Sequence, residues 1–280
     1  MAPKEPGDLL RRRGLPTGGT AAVTGATSGI GREYAERFAA AGLNLIITGR
    51  REELLNQAAE ELRRRYTVEV ELLIGDLTDT AVLQRLEALL RGTESLIYLV
   101  NNAGYGGAKL FYEDAVDAQS DLLAIHTLVP LRLTHAALEI MRPRNRGVIV
   151  MVSSLASFTP IPRGSVYAAA KAFLRIFGEG LYMENVGAGI TVQVLVPGFT
   201  RSDFHREGID DLPQGGRFSL INWKTSGEVV DISLKNLGKQ VICIPGFRNR
   251  LLRIIAGVTP RRLLYRMLRK GRRNPADAGE

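Results

Sequence analysis

Six short apolar runs, alternating with stretches of helical periodicity, limit what this chain can fold into. Thr20–Thr24, Leu43–Thr48, Val68–Ile74, Ser95–Val100, Gly147–Ser153 and Ile190–Val196 read as strands. Between them, Ile30–Ala41 sets Ile30, Tyr34, Phe38 and Ala41 on one side of a helix, with Gly42 where a C-cap belongs. Arg51–Arg65, Thr78–Leu90, Asp117–Met141 and Val166–Asn185 are the other predicted helices, the longest with a bend expected at Pro130. Nearly continuous apolar strands are covered on both faces, and strand–helix alternation makes their sheet parallel. The predicted fold class is α/β: a single doubly wound parallel sheet with helices on both faces and a basic helical extension at the C-terminus.

The flanks read differently. Residues 1–19 are rich in Pro, Gly and charge and suggest a flexible arm; 20–246 form the domain, and 247–280 the extension. Within the domain, 201–224 loses periodicity and gains Gly, Pro and Asp, as a long loop or small lid would. A helix over 227–237, a strand over 240–244 and short basic helices over 248–256 and 260–270 follow.

Charge sharpens this division. The chain holds 37 Lys+Arg against 29 Asp+Glu, a formal net charge of +8. No Asp or Glu occurs from Ile232 to Ala276, a stretch with 12 basic residues, so the remainder is slightly acidic. Apolar pairs such as Leu251-Leu252, Ile254-Ile255, Leu263-Leu264 and Met267-Leu268 give the extension an apolar stripe beside its arginines. Such helices pack on their own domain or lie on an anionic membrane surface. Nucleic acid fits poorly, because aromatic interleaving is nearly absent. Cys243 is the only cysteine, which rules out an intramolecular disulfide and any cysteine-based zinc site; three scattered histidines offer no metal site either. The start carries no signal-peptide pattern, and no uninterrupted apolar run approaches a bilayer span. The expected location is cytoplasmic or membrane-peripheral.

The first strand runs into Thr24-Gly25-Ala26-Thr27-Ser28-Gly29-Ile30-Gly31 and then a helix. A glycine turn there lets the backbone approach a pyrophosphate, and the helix N-terminus offers unpaired N–H groups. That is the dinucleotide site of a Rossmann-like fold. The second strand ends at Gly49-Arg50-Arg51, with no acid to bind ribose hydroxyls. A guanidinium fork suits a 2′-phosphate, so NADP(H) is expected over NAD(H), with Arg50 favoured over Arg51 because Arg51 can point along the helix surface. Asp76, after the third strand, meets the adenine amino group or caps the next helix.

With these pieces, the chain resembles the short-chain dehydrogenase/reductase family. The glycine turn, Asn101-Asn102-Ala103-Gly104, Ser154, Tyr167-Ala168-Ala169-Ala170-Lys171 and Pro197-Gly198 occur in the family's order and spacing across roughly residues 20–202. Tyr167 and Lys171 are four apart, hence on one helix face. A free phenol titrates near pH ~10, and a neighbouring ammonium with an oxidised nicotinamide lowers that value. The resemblance makes Tyr167 the acid/base, Ser154 the group that fixes the reacting oxygen, and Lys171 the tyrosine's partner and nicotinamide-ribose ligand. It places Gly25, Thr27, Ser28, Gly29, Ile30, Gly31, Asn102, Ala103, Gly104, Pro197 and Gly198 beside the cofactor. Thr200 and Ser202 are carboxamide or phosphate contacts, or turn caps.

The chain departs from the family where an asparagine usually bends the long helix and holds a water. His126 stands there, either as a proton relay with a reference pKa near ~6.5 or as a packed helix residue. Phe204, Leu212, Phe218, Leu220, Ile221 and Trp223 make the segment after Pro197-Gly198 apolar. They fill the core beneath it or cover a lipophilic ketone, of a 3-oxoacyl or steroid-like kind. The expected function is an NADP(H)-dependent oxidoreductase acting on a carbonyl/alcohol pair. The alternative is a non-catalytic NADP(H)-binding regulator on the same fold. The resemblance also implies a homo-dimer or homo-tetramer built on Asp117–Met141 and Val166–Asn185.

Overall fold

A computed structural model describes residues 8–107, 109–201 and 223–270. In chain order, α1 (Asp8–Arg12) leads to β1 (Thr20–Val23), α2 (Gly29–Ala40), β2 (Asn44–Gly49) and α3 (Glu52–Tyr66). Next come β3 (Val70–Ile74), α4 (Thr80–Gly92), β4 (Leu96–Asn101), α5 (Val116–His126), α6 (Leu128–Met141) and β5 (Gly147–Val152). Then α7 (Ser165–Glu184), β6 (Ile190–Leu195), β7 (Thr200–Arg201), β8 (Lys224–Thr225), α8 (Ser226–Asn236), β9 (Ile242–Cys243), α9 (Phe247–Val258) and α10 (Arg261–Lys270) complete the described chain.

Seven strands form one parallel sheet in the order β3-β2-β1-β4-β5-β6-β9. The expected α/β fold is present. The order reverses between β1 and β4, and ligands of such sheets bind outside the carboxyl ends at that crevice. Alternate strand residues serve opposite cores. Val148, Val150 and Val152 face a cluster with Tyr34 and Phe38 of α2, Leu55 of α3 and Val230 of α8. Ile149 and Met151 face a second, with Leu86 of α4, Leu133 of α6 and Leu174 of α7.

Two expectations change. The arm is not loose over its described part: α1 buries Leu10 completely in the first cluster, and the Tyr98 hydroxyl donates to the Pro16 carbonyl at 2.8 Å. Apolar Leu9, Leu10 and Leu15 outweigh the flanking charge. The long helix is two helices that meet at Thr127, three residues before Pro130. Proline has no N–H for the His126 carbonyl and its ring crowds that carbonyl, so the break falls one turn earlier than the proline itself.

The short β7 and β8 pair in parallel, Thr200 with Lys224, which holds together both ends of the segment expected to be a lid. Its interior, including Ser202, Phe204, Leu212, Phe218, Leu220 and Ile221, lies outside the described residues, as do residues 1–7 and 271–280. The described part of the extension is the helical pair α9 and α10, in which Asn249 and Leu264 are buried. Among the described residues no helix is long and apolar enough to cross a membrane.

Candidate active site

The glycine turn and the segment after β4 are tied together at the switch point. Thr24 Oγ1 accepts from the amides of Asn102 and Ala103, both at 2.9 Å. Asn102 Nδ2 donates to the carbonyls of Thr24 at 2.9 Å and Gly25 at 3.1 Å. Gly31 lies so close to the turn that a Cβ there would stand 2.3 Å from the Gly25 carbonyl oxygen. Only glycine lets α2 start hard against the turn. Gly25 and Gly29 both have positive φ, and half-buried Ile30 packs on the core beneath. Ser28 precedes α2 without a side-chain cap, so the first amides of the helix remain for an anion.

The two arginines after β2 diverge. Arg50 turns away from the turn: its Nη1 pairs with Asp76 Oδ2 at 3.2 Å and its guanidinium stacks 5.4 Å from the Tyr105 ring centre. Arg51, expected along the helix surface, instead donates from Nη2 to Thr27 Oγ1 at 2.8 Å and Ser28 Oγ at 3.0 Å. The reason is local. Arg51 is the residue before α3, and its extended backbone aims the side chain back over the turn. Asp76 is not a helix cap; Asp79 caps α4 by accepting from the amides of Ala81 and Val82. Burial works to raise the Asp76 pKa, but the Thr78 amide and hydroxyl and Arg50 outweigh it and hold the carboxyl below its usual range.

Ser154, Tyr167 and Lys171 come together beyond the ends of β5 and β6. Ser154 precedes a 3-10 turn at Leu155–Phe158 and accepts the Ala156 amide at 3.2 Å. It also lies close enough to the Tyr167 hydroxyl to favour the phenolate. Ser153, its neighbour, donates to the Lys171 carbonyl at 2.8 Å and so fastens α7 to β5. Lys171 is buried, with Nζ 2.8 Å from the Val152 carbonyl and 5.6 Å from the Tyr167 ring centre. The expected lowering of the tyrosine pKa is reversed by the protein groups alone. Burial pushes the phenol up to about 12, with Ser154 opposing, while burial brings the Lys171 ammonium down to about 7. Desolvation penalises the charged form of each.

His126 is buried beside this group, its ring 5.5 Å from that of Tyr167 at 78°. A carbonyl can only accept, so the 2.9 Å contact to the Tyr105 oxygen makes Nε2 the protonated nitrogen. Nδ1 is then an acceptor, buried without a hydrogen-bond partner. Burial first and Lys171 second hold the ring neutral, its pKa well below 6.5, against the Tyr105 bond. A histidine titrating near neutrality is therefore not what the fold provides. Gly104 makes room for it: a Cβ there would fall 1.9 Å from His126 Cε1.

Pro197 is buried, and its carbonyl accepts the Leu155 amide at 3.1 Å, which ties the end of β6 to the Ser154 turn. Thr200 is buried and donates to the Gly198 carbonyl at 3.1 Å, the bond of a turn. Three neighbours escaped the sequence. Tyr105 follows the Asn102–Gly104 motif directly, so its position was readable. Asn249 sits against Gly198, where a Cβ would stand 2.6 Å from Nδ2, and nothing local in α9 signals that contact. Phe158 lies between Arg175 and Arg253, at 4.9 and 5.3 Å. No group of His, Cys, Asp and Glu able to hold a metal occurs among the described residues.

A family model described as short chain dehydrogenase matches residues 19–212. The 7beta-hydroxysteroid dehydrogenase of Collinsella aerofaciens is 28% identical over 230 residues, covering 81% of this chain and 86% of that protein. The very-long-chain 3-oxoacyl-CoA reductase-A of Danio rerio is 32% identical over 227 residues, covering 79% and 70%. Among solved structures, a short-chain dehydrogenase from Sphingobium yanoikuyae in complex with NADPH superposes with a TM-score of 0.76 at 31% identity, covering 92% of this chain and 99% of that one. The turn that fits a pyridine nucleotide and the Ser154–Tyr167–Lys171 group thus stand on a shared scaffold, and this chain belongs to the short-chain dehydrogenase family of oxidoreductases.

Proposed function

We propose that the protein reduces a lipophilic ketone with NADPH. The observation that carries this reading is the Ser154–Tyr167–Lys171 group, with a phenol held protonated at neutral pH. A bound nicotinamide supplies the hydride. Ser154 holds the ketone oxygen by a hydrogen bond, and Tyr167 delivers its proton to that oxygen while the carbonyl carbon takes up the hydride, so that C=O becomes CH–OH. Lys171, anchored on Val152, holds the nicotinamide ribose and replenishes charge near the phenolate.

Support for NADP(H) over NAD(H) comes from Arg51, braced on Thr27 and Ser28, and Arg50, braced on Asp76, because guanidinium groups after β2 suit an adenine-ribose phosphate. Gly25, Thr27, Ser28, Gly29, Ile30 and Gly31 form the pyrophosphate cradle. Asp76, Asn102, Ala103 and Gly104 border the adenosine, and Pro197, Gly198 and Thr200 the nicotinamide. His126 is a neutral acceptor beside Tyr167. The two relatives named for steroid and long-chain 3-oxoacyl substrates support a bulky apolar ketone. Exposed apolar residues on α5, α6 and α7 support a homo-oligomer, and the basic helices α9 and α10 support contact with an anionic membrane surface.

The test is NADPH consumption over a panel of steroid ketones and 3-oxoacyl thioesters. Turnover is expected with at least one, and Tyr167→Phe is expected to lower it by about 10²–10⁴-fold while leaving NADPH binding, read by fluorescence, unchanged. NADPH binding with no turnover on any ketone would favour the regulator instead.

A further inference from the structure

We propose that α9 and α10 dock on an anionic lipid bilayer and thereby set the substrate side of the sheet against it. The membrane contact stands independently; its link to the substrate rests on the reductase reading above.

The outward face of α9 has the wrong polarity for water. Phe247, Ile254 and Val258 recur at spacings of seven and four, which places them on one line of a helix. They are 74%, 54% and 75% exposed. The opposite line carries Asn249, which is buried and donates to the Pro245 carbonyl at 2.6 Å. On an ordinary surface helix the polar side chain faces out and the apolar ones face in. Here they are exchanged, and the exposed Arg248 and Arg250 flank the apolar line.

The next helix carries exposed apolar residues beside a buried one. In α10, Leu264 packs inward at 7% exposure, while Leu263 and Met267 on the adjoining strip are 50% and 59% exposed, and Tyr265 is 51% exposed. Arg261, Arg262 and Arg266 occupy the other side of the helix. Large apolar side chains beside guanidinium groups, over a stretch of chain without any acid, match a surface that is apolar within and anionic at its boundary. The absence of acids is the charge complementarity that selects anionic lipid over a neutral apolar partner.

The position of α9 supplies the link. Asn249 packs on Gly198 at the carboxyl edge of the sheet, and the Arg253 guanidinium lies over Phe158, four residues after Ser154. The helix that carries the apolar face is therefore fastened beside the segments that follow Ser154 and Pro197. A lipophilic substrate dissolved in the bilayer would meet the site there without crossing water.

The experiment uses the full chain with vesicles of phosphatidylcholine alone and mixed with phosphatidylglycerol. Binding is expected on the anionic vesicles only, and to weaken as salt rises from about 0.1 to about 1 M, where screening shortens from ~10 to ~3 Å. Ile254→Asp/Val258→Asp is expected to weaken it at least about tenfold, with melting temperature and turnover of a water-soluble ketone unchanged. Anionic vesicles are expected to raise turnover of a vesicle-dissolved ketone several-fold in the parent and not in the variant. Equal binding to neutral vesicles, no binding, or binding unaffected by the variant overturns the proposal. A change of oligomeric state in the variant assigns the face to a second copy and overturns it, as does tighter binding to duplex DNA than to vesicles. Vesicle binding without turnover of any ketone sinks the reductase reading and leaves the docking surface standing.

Discussion

Arg50 and Arg51 leave β2 side by side and end in different surroundings. Arg51 reaches two hydroxyls of the glycine turn, whereas Arg50 is already engaged by a carboxylate and an aromatic face. A phosphate entering beside the turn meets Arg51 first. Arg51→Ala is expected to cost about 1.5–3 kcal/mol of NADPH affinity, roughly 10- to 150-fold, with little change for NADH. Arg50→Ala is expected to cost less, because Asp76 offsets its charge. Fluorescence titration of both variants with both nucleotides measures this, and equal losses for NADPH and NADH in Arg51→Ala would remove Arg51 from the phosphate. Lys171 makes a second prediction at this scale. Its folded pKa of about 7 lies below the 10.5 of a free lysine. Between those values the unfolded chain binds more protons, so stability rises with pH across that window and the buried ammonium costs most below it. Lys171→Met removes the titration, so its advantage over the parent is expected to be largest at or below pH ~7 and to shrink by a few kcal/mol toward pH ~10. Urea denaturation across that range reads the difference; parallel stability profiles would refute it.

At the scale of elements, strand and helix order was legible because burial on both faces leaves an unbroken apolar signature. Val148–Val152 could hardly be anything but an inner strand. Boundaries were less legible. α4 begins at Thr80 rather than Thr78 because the cap is Asp79, while Asp76 uses its carboxyl on Thr78 and Arg50. The motif residues of the site came from a family resemblance in order and spacing, which carries no information about their electrostatics. Spacing puts Tyr167 and Lys171 on one face, yet only the packed structure shows that both are desolvated and that His126 is held neutral. α1 escaped for the opposite reason: five helical residues among charge and glycine carry no periodic signal, and only tertiary contact reveals them. Leu10→Ala is expected to destabilise the protein by about 2–4 kcal/mol, as a fully buried leucine does, where a flexible arm would show no effect. Chemical denaturation distinguishes the two.

At the scale of the whole molecule, two groups of exposed apolar side chains among the described residues answer different questions. One is the α9–α10 face near the substrate side. The other lies on α5, α6 and α7, where Leu123, Leu128 and Leu131 are 44%, 49% and 42% exposed and Ile176 and Met183 of α7 are 58% and 68% exposed. Ile176 and Met183 are seven apart, hence on one line of α7, and nine residues from Tyr167 place Ile176 on the side of the helix opposite the catalytic phenol. A protein–protein contact can therefore use α7 without obstructing the site that the same helix builds. Burying five such side chains on each of two copies supplies the apolar centre that a stable interface requires. Ile176→Arg/Met183→Arg sets like charges across a two-fold contact and is expected to shift the protein from oligomer to single chain in light scattering. NADPH binding to each chain is expected to persist, since no residue of the nucleotide site moves. An unchanged oligomer in that variant would place the contact between copies on another surface.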